Sequence, residues 1–508
     1  MQGTTAEPIP STLDRIRDQD FGYHEARHLL WRAGFGGTPR QIETLASWGP
    51  EKAVDHLIEV ERVPYDKPDP NEFDPDIMRP PTAAEQAEAQ MARRQRDEDS
   101  LARLRLLRQQ RQRQDRRQMA DIQRWWLERM IETPRPLEEK MTLFWHGLFA
   151  TSYRTIENSY HMYQQNQFYR SHAIGSYKDL LFGLIRDPAM LAYLDNDDSR
   201  VGHPNENLAR EIMELFSLGV GNYSERDIKE GARALTGYTF VDDEFSFNEK
   251  NHDKGSKSIL GTRGNLNGEG FVGAILRQKA CAEYIAARLY DEFALHMHAL
   301  APEDEPAVRR VTARLAGELR DADYNVRPVL RTLFLSKHFY HPRVVNNRIK
   351  SPAELVIGAV RSLNTPVRDM GVLLQAMDLM GQSLFYPPSV KGWLGGRTWI
   401  NTSTIFVRQN LMNFLLTGKL PVGYDSAARE EKYDPTALLE PLAETDPAAA
   451  RDPARVVDYL LRFTLGHPQE QAQGVLTEFV ADHGNTIKPD VITGMLLLVA
   501  AMPEYQLC

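Results

Sequence analysis

The sequence predicts an all-α protein: one large multi-helix domain, a bundle or α/α toroid, with an N-terminal helical arm and a small C-terminal helical cap. Three observations carry this. Apolar residues recur at helical spacing through most of the chain, while strand-like alternation and hairpin signals are scarce. From Thr82 to Ile131 there is no Gly or Pro, and good helix formers fill the stretch. Glycine and proline turns punctuate the rest at intervals that suit helix–helix connections. With 508 residues the chain exceeds one ordinary core. The expected division is 1–133, N-terminal helices with a long Arg/Gln-rich helix; 134–420, a central helical domain; and 421–508, the cap.

Taken in order, the first helix starts near Tyr23 and carries His28 to Trp31. Thr38 caps the second, with Pro39 at its first position. Gly49-Pro50 breaks that helix in two. A Pro- and Asp-rich surface loop spans 62–82. The stretch from 83 onward reads as one long helix or two in line. Its arginine-rich centre is a solvated face, with a protein-docking arm at 83–120 as the alternative. Nucleic acid is not the expected partner. The formal charge is −9, and no aromatic residues interleave those arginines. Residues 241–272 form the least helical segment, with a short hairpin around Ile259–Gly264. Residues 383–410 are a second irregular segment, and an acidic linker follows Val422.

The apolar run at 495–502 falls far short of the roughly 20 residues a membrane span needs and reads as a buried helix. Two cysteines, Cys281 and Cys508, provide no disulfide framework. The N-terminus as written has no basic start and no apolar core, so it does not read as a secretory signal; the expectation is either a protein that stays inside or a mature, trimmed chain.

The densest polar stretch is PNENLAREIMELFSLGVGNYSERDIKEGARALTGYTF, from Pro204 to Phe240. Asn205 is the expected N-cap and Glu206 suits the first turn. Asn207, Glu211 and Glu214 form a polar stripe beside the apolar face of Leu208, Ile212 and Leu215. Glu211 lies nearest the apolar edge, where desolvation raises a carboxyl pKa as a general acid requires. Glu206 and Arg210 are i, i+4 partners. His146 sits among large apolar residues, as a core histidine, a base or a ligand. His252 and Asp253 lie in a glycine-containing loop.

Two acids on one helix cannot readily flank a bond, so Asp253 is preferred to Glu214 as the second acid. The pattern DNDDSRVGHPNE at 195–206 approaches a calcium loop, but Arg200 stands where glycine is needed. Trp393, Trp399 and Tyr386 could form a stacking platform, with Arg397 at its rim and Asn205 as a polar contact. The alternative is that these rings pack the core.

Three function classes fit these residues. The first is a hydrolase or lyase on a glycan-like polymer, with Glu211, Glu214 or Asp253 as acid and base, His146 nearby, and Arg210 tuning charge. The second is an enzyme with a divalent metal held by His146, His252 and Glu211. The third is a non-catalytic binding or assembly protein whose polar motifs are structural.

The motifs HLLWRAGFGGTP, EKMTLFWHGLFATS, DPAMLAYLDN, HDKGSKSILG, KSPAELVIGAVRSL, PPSVKGWLGGRTWINTSTIFVRQN and MPEYQLC, with the stretch at 204–240, together resemble the bacterial "domain of unknown function 1800" family. They occur in order from about Tyr23 to Cys508. The resemblance implies a mainly helical fold, brings no agreed activity, and suggests export to the periplasm if the N-terminus is trimmed.

Overall fold

Helix starts follow side-chain chemistry. In the computed structural model, which describes residues 7–65, 73–297, 300–419, 432–466 and 469–508, α1 spans Tyr23–Arg32. Its free N-terminus is closed by Glu25, whose carboxylate accepts the Gly22 N–H at 2.9 Å. Helix α2, Pro39–Ile58, starts on the predicted cap, with Thr38 Oγ1 accepting from the Gln41 N–H at 3.3 Å. Gly49 adopts φ 77° and kinks α2 at the predicted break.

The long charged stretch differs from expectation. It forms α3, Ala83–Gln95, and α4, Glu98–Glu132, with Arg96 left-handed at φ 54° between them. Arg103 pairs with Glu88, and Arg111 with Glu85 at 2.9 Å, so α3 folds back antiparallel along α4. A hairpin wins over one continuous rod because the glutamates of α3 meet the arginines of α4 across the pair. The outer part of α4 leaves Leu106 and Leu107 exposed, whereas Met119, Ile122, Trp126 and Met130 are buried.

Helix α5, Pro136–Leu148, then enters the core, with Pro136 at its first position. Apolar residues from Ile9 to Tyr505 pack into one cluster. The described residues are mostly helical, 63% by count, with two two-stranded antiparallel sheets. The predicted hairpin is present as Lys257–Ile259 against Thr262–Gly264, with Ile259 opposite Thr262. A second hairpin, Tyr238–Val241 with Glu244–Phe247, stands where the sequence predicts a loop.

The irregular segment at 383–410 ends earlier than expected, since a helix starts at Thr402 once Asn401 caps it. The run at 495–502 largely lies in the helix Pro489–Ala500, as expected. The linker predicted after Val422 falls mainly outside the described residues. Among those residues, no helix is long and apolar enough to cross a membrane.

Candidate functional site

The acidic helix starts one residue later than its sequence implies, with Glu206 at the N-cap position. The helix runs Asn207–Glu211 and passes directly into a π-helical segment, Ile212–Ser217. Such segments are rare and occur often at functional sites. Asn205 is not the N-cap. Its Oδ1 accepts the Asn207 N–H at 2.9 Å and its amide donates to the Asp195 carbonyl at 2.9 Å, so it builds the entry turn.

The acids differ sharply in engagement. Glu206 and Glu225 share Arg210, whose guanidinium is held at 2.9 to 3.1 Å by both. Glu214 accepts the Tyr223 hydroxyl at 2.5 Å. Asp253 is gripped by Arg233 at 2.8 and 3.1 Å and caps Gly255, and these contacts, outweighing burial, hold its carboxyl down to about 2. Glu211 alone in this set makes no hydrogen bond or ion pair among the described residues. Partial burial and the neighbouring Glu214 push its carboxyl above the usual range, against Arg210 and Lys391.

The histidines do not join this acid. His146 is buried between Trp126, Tyr169 and Phe385, and its Nε2 accepts from the Asn166 amide at 3.0 Å. Burial, helped by Arg170, lowers its pKa to about 3, so it is a neutral core side chain. His252 Nδ1 lies 2.8 Å from the Thr236 carbonyl, and its ring rests on Phe247. Among the described residues no group of three or more His, Cys, Asp or Glu could hold a metal. His146, His252 and Glu211 therefore do not form the shared metal site that the sequence suggested.

The aromatic residues divide likewise. Tyr386 packs on Tyr153 and lines a cavity of about 240 Å³ with Asp115 and Arg116, apart from the two tryptophans. Trp393 and Trp399 do share a cavity, of about 90 Å³, whereas Arg397 is exposed on the adjoining turn. That cavity also receives Lys140, Arg288, Asp291, Glu292, Arg348 and Glu354.

Its walls come from four directions. Helix α5 supplies Lys140, Leu143, Phe144 and Gly147, which share one face at helical spacing. The helix Lys279–Phe293 supplies Arg288, Asp291 and Glu292. The helix Pro352–Leu363 supplies Glu354, which completes a capping box with Ser351 and also takes the Lys140 Nζ at 2.8 Å. The loop before Thr402 supplies the tryptophans. Gly392 makes this loop possible: at φ 72°, a Cβ there would stand 2.0 Å from the Gly147 carbonyl oxygen.

The acidic turn and this cavity are attached twice. Lys391, whose charge reaches Glu211, lies two residues before Trp393. Tyr284, one turn before Arg288, donates its hydroxyl to the Leu215 carbonyl at 2.6 Å. Sequence reading missed Arg288, Asp291 and Glu292. Their i, i+3, i+4 spacing resembles a solvated helix stripe, and only the distant Lys140 and Arg348 turn it inward. A wider cavity of about 510 Å³, walled by Leu30, Leu45, Leu57, Ile131 and Val360, contains none of the predicted site residues.

The molecule is thus a mainly helical protein of the all-α class, with an unpaired, half-buried glutamate near a charged cavity bordered by tryptophan. The chain belongs to the DUF1800 family: residues 28–507 match the family model described as "Protein of unknown function (DUF1800)". No curated protein and no solved structure matches the chain.

Proposed function

We propose that this protein is a hydrolase or lyase acting on a glycan-like polymer, with Glu211 as its proton-transferring acid/base. The observation that carries the reading is the contrast among the acids. Glu206, Glu214 and Asp253 are each committed to a neighbour, whereas the Glu211 carboxyl is uncommitted and shifted upward by burial and by Glu214. A raised carboxyl holds a proton nearer neutral pH and can deliver it to a leaving oxygen. Trp393, half-buried at the rim of the cavity, offers a ring against which a sugar can lie, with Arg397 exposed nearby, whereas Trp399 is buried and packs the core. Asp253, ionised and clamped by Arg233, serves the loop rather than the reaction. Glu214 then acts on Glu211 by charge, strengthening its hold on a proton.

The test is Glu211→Gln, assayed on a panel of polysaccharides for released reducing ends and for unsaturated products. Activity should fall about 10²- to 10⁴-fold while the unfolding midpoint is preserved. An active variant, or one that no longer folds, defeats the assignment.

A further inference from the structure

The cavity between α5, the helix Lys279–Phe293 and the tryptophan loop has a distinctive imbalance of partners. Lys140 donates to Glu354 at 2.8 Å and to the Trp31 and Gly34 carbonyls, so its three donors are used. Arg348 donates to the Asp291 carbonyl at 2.8 Å and to Glu292 at 3.3 Å. Asp291 faces His296 at 3.1 Å and accepts the Met297 N–H at 2.7 Å. Every acid on the wall is therefore engaged.

Arg288 is the cation left over: it makes no hydrogen bond or ion pair among the described residues, and its Nε–H is buried without an acceptor. Trp393, which lines the same cavity from the loop, likewise has its Nε1–H buried without an acceptor. Buried N–H groups without acceptors are rare and costly. Two such donors border one small cavity, one of them on an unpaired cation, and a group that only accepts would satisfy both once the side chains around them give way.

We propose that this cavity binds an oxyanion of the ligand, which accepts from Arg288 and Trp393. The inference rests on the glycan reading for the rest of the ligand and narrows its class to acidic glycans. The volume of about 90 Å³ suits one oxyanion and is well below the roughly 300 Å³ of an ordinary small-molecule pocket, so the sugar ring stays outside. Arginine suits this task because its planar fork matches an oxyanion's lone pairs. A carboxylate and a phosphate share this chemistry.

Calorimetric titration of the full chain with glucuronate, glucose 6-phosphate and glucose separates the outcomes. One of the anionic sugars should bind at least tenfold more tightly than glucose, and the tighter one names the anion. Arg288→Met should abolish that preference. Trp393→Phe, which keeps a ring in place, should reduce it several-fold and decides the matter if the first variant does not fold. Glu211→Gln should bind as the wild type does. Equal binding of all three sugars, or a preference that survives both wall substitutions, would mean the donors meet water alone and overturns the proposal. Turnover of a neutral glycan without anion preference sinks this inference and spares Glu211. Anion preference with no turnover of any glycan does the reverse.

Discussion

Helix α5 turns its two faces to regions of the core that handle buried charge in opposite ways. On one, Glu139 has no solvent exposure, and its two oxygens accept from Arg129, Arg170 and Trp126 at 2.5 to 3.1 Å. His146, seven residues on, accepts from Asn166 beneath the same aromatic roof. On the other face, Lys140 to Gly147 border a cavity in which Arg288 and Trp393 keep donors with nothing to meet. A buried charge surrounded by its own partners specifies a fold. A donor that the fold leaves unpaired is poised for something from outside. Exposure alone does not distinguish the two faces, but completeness of partners does.

The comparison can be broken most directly by substituting one residue from each face. Glu139→Gln should cost about 3–5 kcal/mol in denaturant unfolding, because Arg129 and Arg170 lose their shared countercharge in the core. Arg288→Met should cost under about 0.5 kcal/mol, since it breaks no pair. Equal costs would erase the distinction between the faces.

Gly392→Ala sharpens it at the cavity. The added methyl meets the Gly147 carbonyl in a left-handed conformation, so a loss of about 1–3 kcal/mol is expected, with changed Trp393 fluorescence. An unaltered emission spectrum would show that the loop can shift without moving the ring.

A pH slope from His146 tests the partnered face separately. Its folded pKa of about 3 lies below the ordinary 6.5, so the unfolded chain alone takes up the proton between those values. The His146 contribution is complete above pH 6.5 and declines as pH falls toward 3, by at most about 1.4 kcal/mol per unit. His146→Gln should flatten the stability–pH curve in that window. A curve of unchanged slope would place the imidazole in contact with solvent.

Local chemistry is legible in the sequence wherever one short segment decides it. Thr38 with Pro39, the Gly49 break, the Lys257–Gly264 hairpin and the buried C-terminal helix all depend on neighbours within a few residues. The α3–α4 hairpin is not legible, because helix formers fill the reversal and a left-handed arginine makes it. Glu211 stands out by its position at the edge of an apolar stripe, and its raised carboxyl agrees. Asp253 reads as a free acid in the sequence because its clamp, Arg233, lies twenty residues earlier on another element. The charged cavity stays hidden for the same reason at larger scale: Lys140, Arg288 and Arg348 meet only after the helices pack.

The contact between Gly392 and Gly147 also bears on kinetics. A tryptophan mounted on a loop that touches a helix backbone to backbone has little travel by side-chain rotation alone. The dwell time of an occupant behind Trp393 should therefore follow the local opening of residues 389–396, so that Gly392 sets how fast the cavity empties while Arg288 sets how strongly it fills.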